Sequence, residues 1–326
     1  MDKIRWGIIG CGDVTEVKSG PGFQKAGNSE LVAVMRRNGE LAKDYARRHN
    51  VPKWYDNADA LIGDPEVDAV YIATPPAYHM EYALKCARAR KPAYVEKPMA
   101  LSYKDCVAML DTFKKLDVPL FVAYYRRSLE YFIKVKELVD NGAIGDIRFV
   151  TIVQYQTPLV EDGSGKDALP WRIKPEISGG GLFYDVAPHT LDILDYILGP
   201  LKSISGFSSN QAKLYGASDM VSATMEFASG VHGTGNWCFS SFKNYDLNEI
   251  VGSKGKISFS TFGFTPVTLE TREDTKEFSF QNPPHIQQPL IQRVVDELRG
   301  TGKAPGNGIS AARTNWALEQ ISTWKD

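Results

Sequence analysis

A lysine, an aspartate and a histidine are the residues of this chain best placed, by type and spacing, to move a proton while a hydride is transferred. Lys97 lies in Glu96-Lys97-Pro98, directly after the apolar run Ala93-Tyr94-Val95, where a buried strand of an α/β sheet gives way to its loop. Such strand ends are where these sheets bind ligands. Further along, Gly179-Gly180-Gly181 leads through Leu182-Phe183-Tyr184 to Asp185 and His189, four apart at the start of an amphipathic segment. In a helix those two positions share a face. Pro188 has no N–H and is expected within the first four helical positions, which puts the helix start at about Tyr184 or later. Each group also has a plainer role open to it: Lys97 as a surface lysine, Asp185 as a helix cap, His189 as a hydrogen-bonded core residue.

Hydride chemistry needs a cofactor, and the start of the chain offers a place for one. Gly10-Cys11-Gly12-Asp13-Val14-Thr15 follows the first strand-like run and opens a helical stretch. Gly10 permits the tight turn, and Gly12 lets the backbone approach a pyrophosphate at the helix N-terminus, with Cys11, Asp13 and Val14 completing the loop. Thr15 stands where a third glycine is usual, and Gly20-Pro21-Gly22 interrupts the helix early. A Gly-rich turn that binds nothing is the competing interpretation. The second strand candidate ends in Arg36-Arg37, where an NAD enzyme carries an acid for the ribose 2′-hydroxyl. A guanidinium there suits a 2′-phosphate instead, so NADP(H) is the expected cofactor and NAD the alternative. Arg126, Arg127, Tyr155, Trp171, Arg172 and Trp237 fall around the expected domain junction. Aromatic faces with guanidinium donors suit a polyhydroxylated ring, which makes the first five candidate substrate residues.

The elements that must position these groups follow two rhythms. Through residue 123, strand-length apolar runs (Ile4 to Ile9, Leu31 to Met35, Val67 to Ala73, Ala93 to Val95, Leu120 to Ala123) alternate with helical patterns at Glu40 to His49, Tyr78 to Arg90 and Ser102 to Leu116. That alternation predicts βαβ units and a parallel sheet. From about Asp146 successive strand candidates are separated by turn signals: Ile147 to Tyr155, Leu201 to Phe207, Met220 to Phe227, Val231 to Cys238, Leu247 to Val251, Lys256 to Phe259, Val267 to Thr271 and Glu277 to Phe280. They predict a mainly antiparallel sheet covered by the helix after Gly181 and by late helices at Gln288 to Arg299 and Ser310 to Ser322. The expected fold is an α/β Rossmann domain, 1–123, followed by an α+β substrate-binding and oligomerisation domain, 124–326, whose last helix can pack back on the first. Asp162 to Asp167 is the expected mobile loop. The sheet face carrying Ile152, Met225 and Phe227 is expected to meet a second copy, giving a homodimer or homotetramer.

Composition narrows the function by exclusion. The 326 residues, 43% of them hydrophobic and 24% charged, carry a net charge of −1, which gives no reason to invoke nucleic acid or an anionic membrane. The four cysteines form no C-x-x-C pair and the five histidines are isolated, so no metal site or disulfide framework is indicated and a reducing cytoplasm is the expected compartment. No apolar stretch reaches the roughly 18 residues of a spanning helix.

Gly10-x-Gly12, Ala73-Thr74-Pro75-Pro76 with His79, Glu96-Lys97-Pro98, and Gly179-Gly180-Gly181 with Asp185 and His189 occur in an order and spacing that resembles the Gfo/Idh/MocA oxidoreductases over essentially the whole chain. The resemblance implies an N-terminal Rossmann domain and a C-terminal open-faced sheet that holds substrate and often makes the dimer interface. It implies that Thr74, Pro75 and His79 border the cofactor, that Glu96 and Lys97 meet its nicotinamide end, and that Lys97, Asp185 and His189 line the reacting carbon. A cis bond before Pro98 is implied too. Thr15, and Tyr125 before the arginines, depart from the family pattern. The expected reaction is hydride transfer to or from a secondary alcohol or ketone of a sugar, cyclic polyol or diol. The alternatives are an NAD-dependent glycosidase and a non-catalytic dinucleotide-binding sensor.

Overall fold

The computed structural model describes residues 2–158 and 171–322; the expected loop from Asp162 to Asp167 lies outside the described residues. The chain divides into two compact units, Met1–Leu129 with Asn282–Ala312, and Glu130–Gln281 with Arg313–Asp326. The division differs from two consecutive domains meeting at residue 123. A late segment returns to the first unit because its helix carries apolar side chains into that unit's core.

In the first unit the chain runs β1 (Ile4–Ile9), α1 (Asp13–Val17), α2 (Gly20–Lys25), β2 (Ser29–Met35), α3 (Gly39–Arg48), β3 (Lys53–Tyr55), α4 (Ala58–Gly63), β4 (Ala69–Ile72), α5 (His79–Arg88), β5 (Ala93–Val95), α6 (Tyr103–Leu116) and β6 (Leu120–Val122). The strands form a six-stranded sheet in the order β3-β2-β1-β4-β5-β6, parallel at every pairing. This is the doubly wound dinucleotide-binding order, with its crevice at the β1/β4 switch point. Residues of β4, β5 and β6 are buried throughout, as a sheet covered on both faces requires. Side-chain oxygens start three of the helices: Asn38 accepts from Leu41 N, Asn57 from Asp59 N and Ala60 N, and Ser102 from Asp105 N, satisfying N–H groups that the first turn leaves unpaired. The short β3 and α4 have too few residues to show periodicity in the sequence.

The second unit holds α7 (Glu130–Asp140), β7 (Ile147–Tyr155), α8 (Pro175–Ser178), α9 (Leu182–Leu198), β8 (Leu201–Ser209), β9 (Met220–Phe227), β10 (His232–Cys238), β11 (Tyr245–Gly252), β12 (Gly255–Phe259), β13 (Val267–Thr271) and β14 (Thr275–Phe278). Its eight-stranded sheet has the order β14-β13-β12-β11-β7-β10-β9-β8. Among the described residues, β7 with β10 is the one parallel pairing of this sheet. Burial alternates along β9 and β10, so one face is covered and the other bare. Ile152, Met225 and Phe227 are on the covered face, buried within the unit, which corrects the expectation that they meet a second copy. The bare face carries Phe207, 66% exposed, and Phe149, 46% exposed, among Thr151, Ser222, Thr224, Thr234 and Asn236 in register. The covered face packs on α9, where the Phe183 ring meets Trp237 edge-on at 5.4 Å. Trp237 is therefore core.

The last elements are α10 (Gln288–Leu298) and α11 (Gly308–Ser322). Leu290, Ile291, Val294 and Val295 of α10 join Trp6, Ile8, Phe23, Val34, Tyr71 and Tyr94 in one core layer of the first unit. Among the described residues no helix is long and apolar enough to cross a membrane.

Candidate active site

The residues at the ligand edge of the parallel sheet are fixed by their backbone surroundings. Gly10 has φ of +90°, and a Cβ there would lie 3.0 Å from Ala73 C and Thr74 N, so only glycine fits the turn. Its N–H and that of Cys11 donate to Met35 O at 2.8 and 3.2 Å. Gly12 precedes α1, whose first residues are Asp13 and Val14, and a Cβ on Gly12 would meet nothing nearer than Gly10 O at 3.9 Å. That bare backbone beside a switch point has room for a dinucleotide's phosphates. Thr15, at the missing third glycine, folds back to donate from N and Oγ1 to Gly12 O at 2.9 and 2.7 Å. The tight packing a third glycine normally permits has moved to Gly20, where a Cβ would sit 2.2 Å from Thr15 O and Tyr45 Oη.

Arg36 and Arg37 are exposed at the end of β2. Burial pushes the Cys11 thiol up to about 11, against the opposing pull of the Arg36 charge, so Arg36 bears on the fingerprint turn. The Arg37 guanidinium carbon lies 5.2 Å from the Tyr78 ring centroid. Tyr78 was missed in the sequence reading, where its one signal is its place beside His79. His79 is fully buried and joins two loops of the same edge: Nε2 is 2.7 Å from Thr74 O and Nδ1 3.0 Å from Pro98 O. Burial lowers its pKa, with the carbonyls pulling the other way, and a neutral ring donates to only one of them. Thr74 and Pro75 follow β4 after Ala73, and Glu96 and Lys97 follow β5, so the parallel sheet brings both motifs to one edge. The Lys97–Pro98 peptide is cis, as the resemblance implies.

In the second unit Asp185 and His189 are both on α9, one turn apart. The helix begins at Leu182, so Pro188 occupies its seventh position, a correction to the later start expected from the proline. Tyr184 N and Asp185 N close the first turn on Gly181 O at 3.1 and 3.3 Å. Gly181, with φ of +75°, is the cap residue, so Asp185 is not a cap. Nearly every residue of α9 is buried, and that packing outweighs the hydrogen bond Pro188 cannot make.

His189 is buried with its ring edge-on to Phe262 at 5.4 Å. The Phe262 loop is anchored by Asp246, whose carboxylate accepts from the N–H groups of Thr261, Phe262 and Gly263 at 3.0, 2.5 and 3.2 Å. Arg172 Nε lies 3.2 Å from Asp185 Oδ2 and its guanidinium packs on Trp171. Trp171, Arg172 and Asp185 thus form one cluster beside His189.

The other candidate substrate residues have partners within their own units. Tyr155 is one residue from Gln154, which pairs with Trp237 on the covered face, so the alternation of a strand turns Tyr155 to the other face. There it stacks on Tyr245 at 5.1 Å. Arg126 and Arg127 are buried in the first unit. Arg127 Nη1 donates to Pro305 O at 3.2 Å, holding the loop before α11, and Arg126 lies 4.9 Å from the Tyr125 ring centroid. Among the described residues no group of three or more His, Cys, Asp or Glu could hold a metal.

Comparison with known proteins agrees with this fold. Residues 4–124 match the oxidoreductase family with an NAD-binding Rossmann fold, and residues 132–258 match the GFO/IDH/MocA C-terminal domain. Oxidoreductase P35 of Formosa agariphila is 41% identical over 317 residues, 97% of this chain and 98% of that protein. Myo-inositol 2-dehydrogenase of Thermotoga maritima is 28% identical over 272 residues, 82% of this chain and 78% of that one. Levoglucosan dehydrogenase, solved in complex with NADH and levoglucosan, shares the fold at a TM-score of 0.87 and 22% identity, covering 98% of this chain and 96% of that one.

Proposed function

This chain belongs to the Gfo/Idh/MocA family of oxidoreductases, and from that premise we propose that it transfers a hydride between NADP(H) and a secondary alcohol or ketone of a sugar, cyclic polyol or diol. The observation that carries the reading is the placement of Lys97 at the end of β5, at the same sheet edge as Gly10, Gly12, Thr74 and His79. The bound dinucleotide accepts or supplies the hydride.

The chain's own residues do the rest. His189 takes the hydroxyl proton in the oxidative direction and returns it in the reductive one. Lys97 donates to the substrate oxygen and stabilises its developing negative charge, a contact on the scale of one oxyanion-hole donor, about 3 kcal/mol. Asp185, paired with Arg172, holds a neighbouring hydroxyl or the His189 ring, and Trp171 offers an aromatic face to the sugar or polyol. Arg36, with Arg37 beside it, grips the 2′-phosphate of NADP(H). Gly10, Cys11, Gly12, Asp13 and Val14 receive the pyrophosphate, and Thr74, Pro75, His79 and Glu96 border the nicotinamide half.

The reading extends to assembly and compartment. The bare sheet face with Phe149 and Phe207 meets its copy in a homodimer or homotetramer, and four free thiols suit a reducing cytoplasm. The experiment is a turnover screen: NADP⁺ and NAD⁺ reduction with myo-inositol, levoglucosan and related polyols, and NADPH and NADH consumption with the matching ketones. Turnover with NADP(H) preferred is expected. Intact dinucleotide binding with no turnover across the panel would contradict the enzyme reading.

A further inference from the structure

Glu96 stands between the last residue of β5 and Lys97, and it is buried. Its N–H donates to Ile72 O at 2.9 Å, extending the ladder between β4 and β5 by one residue. Its carboxylate accepts from three directions: Tyr71 Oη at 2.5 Å and Gln287 Nε2 at 2.7 Å on one oxygen, and the backbone N–H of Lys97 at 3.1 Å on the other.

The two side-chain donors come from distant parts of the first unit. Tyr71 is on β4, while Gln287 immediately precedes α10, 191 residues beyond Glu96. Gln287 N also donates to Lys18 O at 3.1 Å, and His285 Nδ1 donates to Val17 O at 2.7 Å, so the segment before α10 links the end of the fingerprint helix to Glu96. The Gln287 amide has one useful orientation, because Oε1 has no hydrogen-bond partner among the described residues and turning it over would set oxygen against carboxylate. Burial and the Glu96 charge push the Tyr71 phenol well above its ordinary value, which keeps it a donor at working pH.

We propose that Tyr71 and Gln287 are positioning residues for hydride transfer: they lock the Glu96 carboxylate, whose other oxygen fixes the backbone N–H of Lys97 and so the origin of its side chain. The inference rests on the proposed function, in which Lys97 meets the substrate oxygen. Terminal carboxylate torsions are soft, so a carboxylate that loses one donor can turn, and a displacement of about 1 Å at a positioned group can cost about 10²-fold in rate.

The test is a double-mutant cycle on the full chain at saturating NADP⁺ or NAD⁺, with myo-inositol or levoglucosan, whichever the wild type oxidises. Tyr71→Phe removes a single oxygen atom and is the variant expected to fold; Gln287→Leu is its companion. Each should slow single-turnover hydride transfer by about 10- to 100-fold while dinucleotide affinity by titration stays close to wild type. In a Lys97→Met background neither should slow transfer further, since both act through Lys97. Wild-type transfer in Tyr71→Phe, or equal slowing with and without Lys97, would overturn the inference while leaving the function of Lys97 standing. Undiminished transfer in Lys97→Met alone would overturn that function, and this inference with it.

Discussion

The two sheets of this molecule solve the problem of burial differently, and their candidate chemistry lies in different places as a result. The parallel sheet is covered on both faces: Leu61, Cys86, Met109 and Phe113 pack on one, and Phe23, Tyr45, Ile291 and Val294 on the other. Its strands have no spare face, so its candidate site residues stand where strands end, at Gly10, Arg36, Thr74 and Lys97. The antiparallel sheet is covered on one face only, and its candidate pair, Asp185 and His189, is carried by the covering helix. Strand-end residues inherit their positions from backbone hydrogen bonds. Helix residues depend on side-chain packing, here Phe262 against His189 and Arg172 on Asp185.

That contrast can be broken at several strengths. The largest effect is expected in the second unit: His189→Ala should lower turnover by about 10²- to 10⁴-fold, most severely near neutral pH, where an imidazole both accepts and donates. Steady-state rates from pH 6 to 9 measure it, and a profile parallel to wild type would mean the ring is structural. At a strand end of the first unit, Arg36→Asp should weaken NADPH relative to NADH by about 10- to 100-fold, since a charge-assisted hydrogen bond contributes about 1.5–3 kcal/mol. Calorimetric titration decides, and a wild-type preference for NADH would remove the assignment.

A smaller effect is expected on the bare face of the second sheet. Phe207→Asp should weaken self-association by about tenfold or more, because burying a phenylalanine contributes about 1.5–3 kcal/mol. Light scattering at micromolar concentration is the check; wild-type protein that is already monomeric would refute the assembly. Smallest is a pH effect at the fingerprint helix. Glu16, hydrogen-bonded by Arg48 and His49, is held down to about 2 from an ordinary 4.5. Its contribution is therefore full above that ordinary value and lost as pH falls toward the lowered one. With 34% of its side chain exposed, solvent screening limits it to about 0.5–1 kcal/mol. Glu16→Gln should lower the melting temperature slightly at pH 7, and the gap should narrow as pH falls from 5 toward 2. A gap independent of pH would assign it to packing.

Where the sequence was informative follows from the same contrast. Runs such as Ala93-Tyr94-Val95 and the alternation of Met220 to Phe227 declare both sheets, because burial on two faces or one leaves its period in the residues. The strand-end motifs were legible for that reason. The α7 helix was missed although Tyr131, Phe132, Val135 and Leu138 carry helical spacing, so its signal was present and unread. Other features left no local trace. The stacking of Tyr155 on Tyr245 is one, because residue type does not say which face a strand end presents. Gln287 was invisible as a partner of Glu96 because only the tertiary path of the chain joins them. The start of α9 was misjudged because Pro188 speaks only for local cost, and the burial of the whole helix decided against it.

The most direct test of the account is single-turnover hydride transfer in Lys97→Met at saturating cofactor, followed by nicotinamide absorbance with the substrate found in the screen. If Lys97 acts on the substrate oxygen, transfer should slow by about 10²- to 10³-fold, the scale of one lost oxyanion donor, while NADPH affinity and the melting temperature stay near wild type. Transfer at the wild-type rate would contradict the account.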